Sequence, residues 1–162
     1  KICLDNGFGW LFFLDSDTIP PSDIILRLLA TGRDYIGALY HQRFPPFVPA
    51  AFIKKITTTP DGKQSLEKAP LPPFNYGDII PVDFLPTGAT LISRKCMEAV
   101  LSRYPRPFEW SLDIDRPGLG LSEDYDFSLK AASVGFQPWL ATGIQCRHEV
   151  QMAIGVRGPE MP

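Results

Sequence analysis

The sequence predicts an α/β fold with a mixed sheet, because apolar strand-like runs alternate with amphipathic helical segments. Two kinds of observation carry this prediction: short apolar runs bounded by Gly and Pro, and helical stretches that begin at Ser or Asp and end at Gly. A turn-forming Pro60-Asp61-Gly62 inside a polar stretch adds a small hairpin. The hairpin makes the predicted sheet mixed rather than wholly parallel.

Each element follows from its local pattern. Gly7 and Gly9 end a helical tail over residues 1–9, and Ser22-Asp23 begins a helix that runs to Ala30 and stops at Gly32. Trp10–Leu14 is apolar on both faces, which predicts a buried strand. The other predicted strands cover residues 35–40, 50–56, 82–85, 89–93 and 138–144; the other predicted helices cover 94–103 and 122–135, and 105–120 is loop.

Composition sets the broad class. The 162 residues fit one domain, 1–162, and a content of 44% hydrophobic and 21% charged residues is typical of a soluble globular protein. A net charge of -2 argues against a nucleic-acid partner, and no apolar run is long enough for a transmembrane segment. Three cysteines without a CxxC pattern favour a reducing, cytoplasmic location. Because the chain opens at Lys1, we expect a fragment of a longer protein.

Two carboxylates follow the most apolar strand. Asp15 and Asp17 flank Ser16, and alternate residues of an extended strand lie on one side about 6.6 Å apart. Carboxylates at the carboxyl end of a buried strand suit a hard divalent cation such as Mn²⁺ or Mg²⁺. The alternative is a pair of turn or cap carboxylates before Pro20-Pro21.

Two further groups can take part in a site. Glu123 and Asp124 open a predicted helix, whose dipole favours their ionised form, and an ionised carboxylate is also what a general base requires. His148 follows the last predicted strand, and neutral imidazole binds Mn²⁺-type ions. The alternatives are an ordinary acidic first turn and an exposed histidine in a tail.

Four segments in this order and spacing resemble the GT-A-fold glycosyltransferases, especially the large family 2 group. The segments are LFFLDSDTIPP, VDFLPTGATLISRKCMEAV, SEDYDFSLKAASVGF and CRHE, and they extend over nearly the whole chain. The resemblance implies a GT-A (Rossmann-like) mixed sheet flanked by helices. Members of this group carry nucleotide-binding units upstream of the first segment, so it also implies an N-terminally truncated domain.

The resemblance assigns roles by position. Asp15 and Asp17 match the DxD motif that binds metal and sugar nucleotide, and His148 matches the histidine that completes the metal site in many members. Thr87-Gly88-Ala89 matches the small-residue segment that lines the donor sugar pocket. In the Glu123-Asp124 pair, Asp124 matches the carboxylate that deprotonates the acceptor in inverting members.

These roles imply a metal-dependent sugar transfer. The donor is a nucleotide-diphosphate sugar, and the acceptor is a carbohydrate, a lipid-linked molecule or a protein. The metal, Mn²⁺ or Mg²⁺, neutralises the diphosphate that leaves. Any membrane association is expected to come from regions outside this chain.

Two rival interpretations remain. Haloacid-dehalogenase-type phosphatases also place DxDxT or DxDxV after an apolar strand, but Ile19 stands at the fifth position here. In those phosphatases the last acidic motif follows an apolar strand, whereas Glu123-Asp124 opens a predicted helix here. The other rival is a non-catalytic sugar- or protein-binding remnant, with aromatic residues such as Phe44, Phe47 and Trp110 in proline-rich loops available for stacking on sugars.

Overall fold

The protein has an α/β fold with a mixed five-stranded sheet, seen in a computed structural model that describes residues 2–58, 62, 64–110 and 121–149. The helices in these ranges are α1 (Ile2–Asp5), α2 (Ile24–Ala30), α3 (Arg94–Arg103) and α4 (Glu123–Ser133). The strands are β1 (Trp10–Leu14), β2 (Thr18–Ile19), β3 (Tyr35–Leu39), β4 (Ile53–Thr58), β5 (Gln64–Ala69), β6 (Ile79–Pro81), β7 (Ala89–Ser93), β8 (Trp139–Gln145) and β9 (Arg147–His148).

The main sheet has the strand order β1-β7-β3-β8-β6. β3 and β8 are parallel, whereas β7 is antiparallel to both β1 and β3, and β6 is antiparallel to β8. Consequently the carboxyl ends of β1, β3 and β8 and the amino end of β7 all lie at one edge of the sheet. β4 and β5 form a separate hairpin, and β2 pairs with β9. The sheet is therefore mixed because of β6 and β7, and the prediction that the hairpin makes it mixed is wrong.

Side-chain alternation along the strands divides the core into two layers. Tyr35 and Leu39 of β3 belong to the apolar cluster that includes α3 and α4, while Ile36 and Ala38 belong to the cluster that includes α2. Period-two alternation therefore buries both faces of β3, which is why this strand is apolar throughout. The helices cover the sheet from both sides.

A buried serine ties α4 to the segment before β7. Ser128 Oγ lies 2.9 Å from Tyr35 Oη, accepts a hydrogen bond from the Leu85 amide at 3.0 Å, and lies 3.0 Å from the Asp124 carbonyl oxygen. Ser128 is fully buried, so these polar groups satisfy one another away from water. The contact fixes the first turns of α4 against the sheet.

Most predicted elements among the described residues lie where the sequence placed them, with three corrections. Pro60 and Asp61 of the predicted turn and residues 111–120 of the predicted loop lie outside the described residues. The strand predicted at 82–85 is wrong, because the strand in that region is β6, and only Phe84 forms an isolated bridge with Phe52. β1 has the predicted bounds but is an outer strand of the sheet rather than a buried one, with Trp10 37% and Leu14 47% exposed. The two-residue strands β2 and β9 were not predicted.

The third correction concerns the DxD segment. Asp15 and Asp17 do not continue the strand, because the Thr18 amide donates to the Asp15 carbonyl oxygen at 3.1 Å and closes a turn. Strand alternation therefore does not determine where their side chains lie; the turn does. No helix among the described residues combines the length and the apolar character needed to span a bilayer.

Replacing Ser128 with Ala should lower the free energy of unfolding by about 1–3 kcal/mol, because Tyr35 Oη and the Leu85 amide lose a buried partner. Chemical denaturation of the two proteins measures this difference. Ser102→Ala is the matched control, since Ser102 Oγ bonds only an exposed carbonyl in α3. Equal losses of unfolding free energy for the two variants would show that the buried hydrogen bonds of Ser128 stabilise the protein no more than the exposed bond of Ser102.

Candidate functional site

The candidate site lies at the sheet edge where β1, β3 and β8 end and β7 begins. Gly88 connects these segments: its amide donates to Tyr40 Oη at 3.0 Å, and its carbonyl accepts from the Asp15 amide at 3.0 Å. A Cβ on Gly88 would overlap Tyr40 Oη and lie 2.9 Å from Asp15 Oδ2. The close approach of three segments thus favours glycine at this position, because a larger residue would displace the Tyr40 hydroxyl and the Asp15 carboxylate.

The short β2–β9 ribbon brings the DxD turn and His148 together. Thr18 is opposite His148 in the register, and the Glu149 amide donates to the Asp17 carbonyl oxygen at 2.8 Å. His148 Nε2 is 3.6 Å from Asp17 Oδ1. Residues that are far apart in the sequence thereby become neighbours through backbone pairing.

The orientation of the His148 ring is fixed from two sides. Its Nδ1 lies 2.7 Å from the His41 carbonyl oxygen, which can only accept, so Nδ1 carries the hydrogen. The ring also meets Tyr40 edge-on, with centroids 5.4 Å apart. Nε2 is therefore the nitrogen that faces Asp17.

Arg43 is a site residue that the sequence did not reveal. Its Nη1 is 2.7 Å from Asp17 Oδ2, so each oxygen of this carboxylate faces a nitrogen-bearing group. The Arg43 side chain is half exposed, so solvent screens the ion pair. Arg43 belongs to a loop after β3 whose composition carries no recognisable pattern, and only the folded chain brings it to Asp17.

The acidic pair lies beside the DxD turn. Asp124 Oδ2 accepts from the Thr87 amide at a long 3.4 Å. Burial raises the pKa of Asp124, with the neighbouring charges of Glu123 and Asp15 adding to the increase, while the Thr87 amide opposes it. Partial burial and then the Asp17 charge likewise raise the pKa of Asp15, against the opposing effects of His148 and Arg43.

Glu123 carries an unsatisfied atom. Its Oε2 is buried and has no hydrogen-bond partner among the described residues. A buried carboxylate oxygen without a donor is costly. The site therefore concentrates more carboxylate oxygens than the described donors satisfy.

The fold brings all of the candidate positions to this edge but does not assemble them into a finished metal centre. Thr87 and Gly88 lie in the segment before β7, and Ala89 is its first, fully buried residue. Among the residues that the structure describes, no group of three or more His, Cys, Asp or Glu side chains is arranged to hold a metal ion.

Comparisons with known proteins show a likeness of fold. No family model and no curated protein matches the sequence. The crystal structure of A197 from STIV is similar, with a TM-score of 0.52 and 16% sequence identity. The match covers 93% of this chain, which spans 62% of the length of A197. At this identity the likeness bears on the fold alone.

Asp124→Asn should stabilise the protein at neutral pH, since a carboxyl whose pKa is raised on folding favours the protonated, uncharged form. Its contribution to stability is present below the unfolded pKa and is lost as pH rises through the folded pKa. The advantage of Asn should therefore be seen at pH 7 and shrink in acid. Denaturation at several pH values measures it.

Asp23→Asn serves as the control for that series, because Asp23 is exposed and forms only a loose pair with Arg27 at 3.9 Å. A pH-independent effect of Asp124→Asn, or an equal gain from Asp23→Asn, would contradict the expected electrostatic cost.

Proposed function

We propose that this chain is a GT-A-type catalytic domain of a metal-dependent, inverting glycosyltransferase that moves a sugar from a nucleotide-diphosphate donor to an acceptor hydroxyl. The orientation of His148 carries the proposal. With hydrogen on Nδ1, neutral imidazole directs the lone pair of Nε2 towards Asp17 Oδ1, 3.6 Å away. Two lone-pair atoms facing each other require a proton or a cation between them. Metal-binding histidines are held in this way, with the other ring N–H on a carbonyl.

The local charges support a divalent cation. Asp15, Asp17 and His148 offer the carboxylate and imidazole donors that suit Mn²⁺, or Mg²⁺ with fewer nitrogen ligands. The raised pKa of Asp15 and the unpartnered Glu123 Oε2 both indicate negative charge that the described donors do not fully offset. Arg43 neutralises part of it at Asp17 and would have to release that carboxylate when an ion binds. When bound, the ion neutralises charge that develops on the departing diphosphate.

Asp124 is the proposed general base. Its backbone carbonyl is held by Ser128, and its side chain by the Thr87 amide, so the carboxylate has a fixed position. A raised pKa makes a carboxylate a stronger proton acceptor. Asp124 takes the proton of the acceptor hydroxyl, and the resulting oxygen attacks the anomeric carbon of the donor as the bond to the diphosphate breaks.

Thr87, Gly88 and Ala89 are the proposed lining of the donor sugar pocket. Gly88 has no room for a side chain, and Ala89 is fully buried, so this segment brings backbone rather than bulky groups to the site. Gly88 and Ala89 are both buried in this structure, so Thr87 is the residue of the three that a sugar ring can reach directly. The proposed acceptor is a carbohydrate, a lipid-linked molecule or a protein.

Direct Mn²⁺ binding tests the metal site. In the complete protein, His148→Ala and Asp17→Asn should each weaken Mn²⁺ binding at least about tenfold, the scale of a lost ligand or supporting group. Arg43→Gln should not weaken it, because the variant removes a competitor for Asp17. Electron paramagnetic resonance of free Mn²⁺ measures all three; Arg106→Gln, which alters an exposed pair with Glu109, is the control. An unchanged titration for His148→Ala would remove the imidazole from the metal site.

Turnover tests the proposed base. In the complete protein, Asp124→Asn should lower kcat by about 10²–10⁴ while leaving donor binding nearly unchanged, because Asn keeps the shape but cannot accept the proton. Glu123→Gln should reduce the chemical step less. Near-normal kcat for Asp124→Asn would transfer the assignment to Glu123 or Asp126.

Two outcomes would replace the transferase proposal. Turnover of p-nitrophenyl phosphate with Mg²⁺ and without any donor hydrolysis would favour the phosphatase. Absence of both activities in the complete protein would favour the non-catalytic binding domain.

A further inference from the structure

Lys68 of β5 lies against an aromatic cluster next to the candidate site. Its Nζ is 4.7 Å from the centre of the Tyr125 ring and 5.8 Å from that of Phe52. The Tyr125 hydroxyl donates to the Ala50 carbonyl oxygen at 2.9 Å, and the ring packs edge-on against Phe52 and Phe84. The ring that supports the ammonium group is therefore held firmly in place.

The charge of Lys68 is not compensated by its neighbours on the hairpin. The residue opposite it in the β4–β5 register is another cation, Lys54, and like charges in directly opposed positions destabilise a strand pair. Lys54 is itself satisfied, since its Nζ is 3.5 Å from Asp83 Oδ1. Within the described part of the chain, the Lys68 ammonium has no hydrogen bond or ion pair, so its three N–H donors are available to a ligand.

The position of Lys68 relates it to the acceptor side of the proposed reaction. Tyr125 follows Asp124 directly in the first turn of α4, so the ammonium over this ring is close to the proposed base. Burial lowers the pKa of Lys68, while the Asp124 charge raises it. Arg43, by contrast, is paired with Asp17 of the DxD turn. The two cations thus stand beside different carboxylates of the site.

We propose that Lys68 binds an anionic group, a carboxylate or a phosphate, carried by the acceptor close to its reacting hydroxyl. This inference rests on the proposed function, because it takes Asp124 as the residue that receives the acceptor. An oxyanion at Lys68 would relieve the repulsion with Lys54 and supply the hydrogen-bond acceptor that the ammonium lacks. The proposed substrate class is an acidic acceptor.

Binding of small probes to the complete protein tests the proposal. Methyl glucuronide carries a carboxylate, glucose 6-phosphate carries a phosphate, and methyl glucoside is the neutral reference. We expect at least one anionic probe to bind about tenfold more tightly than methyl glucoside at low salt, as for a charge-assisted hydrogen bond. Titrations followed by nuclear magnetic resonance give the affinities. The anionic probe that binds more tightly than methyl glucoside shows whether the bound group is a carboxylate or a phosphate.

Variants of the hairpin assign the effect to one lysine. Lys68→Met should abolish the preference for anionic probes, and Lys68→Arg should retain most of it. Lys55→Met is the matched control, because Lys55 lies on the other face of the same strand pair, opposite Glu67. Equal affinities for all three probes, or an unchanged preference in Lys68→Met, would overturn the proposal.

Nucleotide measurements separate this inference from the proposed function. Lys68→Met could weaken Mn²⁺-dependent UDP or GDP binding as much as it weakens binding of the anionic probe. In that case Lys68 contacts the nucleotide-sugar donor, and its assignment to the acceptor is wrong. If the complete protein hydrolyses no nucleotide sugar, the proposed function fails. A measured preference for anionic probes would still stand as a separate result in that case. Conversely, if the protein shows no such preference, only the role of Lys68 is contradicted.

Discussion

The site depends on the close backbone contact at Gly88. Its amide and carbonyl bond to Tyr40 Oη and to the Asp15 amide, which joins the ends of β3 and β1 to the start of β7. A Cβ there would overlap Tyr40 Oη and crowd Asp15 Oδ2, so any larger residue would displace the ends of these two side chains. Tyr40 in turn packs on the His148 ring. One residue, Gly88, therefore links the DxD turn to Tyr40, and through Tyr40 to the His148 ring, at the start of β7.

The second feature of the site is its concentration of charge. Burial raises the pKa of both Asp15 and Asp124, and the charge of Glu123 adds to both increases. Such an arrangement opposes folding, because the charged forms are less favourable here than in the unfolded chain. The fold tolerates this cost because buried polar groups elsewhere in the core are hydrogen-bonded to one another, for example in the Ser128 network. A destabilising group that is held firmly in place is typical of functional sites.

The sequence predicted the elements whose signal is local. β1, β7 and α3 have the predicted bounds because apolar runs and a capping serine, Ser93, define them. The five apolar residues of β1 could not show that it is an outer strand, since a local sequence pattern does not indicate which strands pair on either side. β2 and β9 are two residues long and exist only because they pair with each other, which no local pattern encodes.

The same distinction applies to the site. Residues in recognisable segments, Asp15, Asp17, Asp124 and His148, could be nominated from the sequence, because their motifs follow strands or open a helix. Arg43 and Lys68 could not, since each reaches the site from a loop or hairpin whose position depends on tertiary packing.

This division has a physical consequence for specificity. The carboxylates are held by the ends of the main sheet and by α4, where a change in position would disturb buried groups. The cations come from segments outside that sheet and are partly exposed, so they can be replaced with little loss of stability. Under the proposed function, the chemistry would therefore depend on the rigid part of the fold, whereas recognition of the ligand's charge would depend on the part that tolerates substitution. If the proposed roles of Asp124 and Lys68 hold, a change of acceptor would require substitutions in the β4–β5 hairpin and would leave the contact at Gly88 intact.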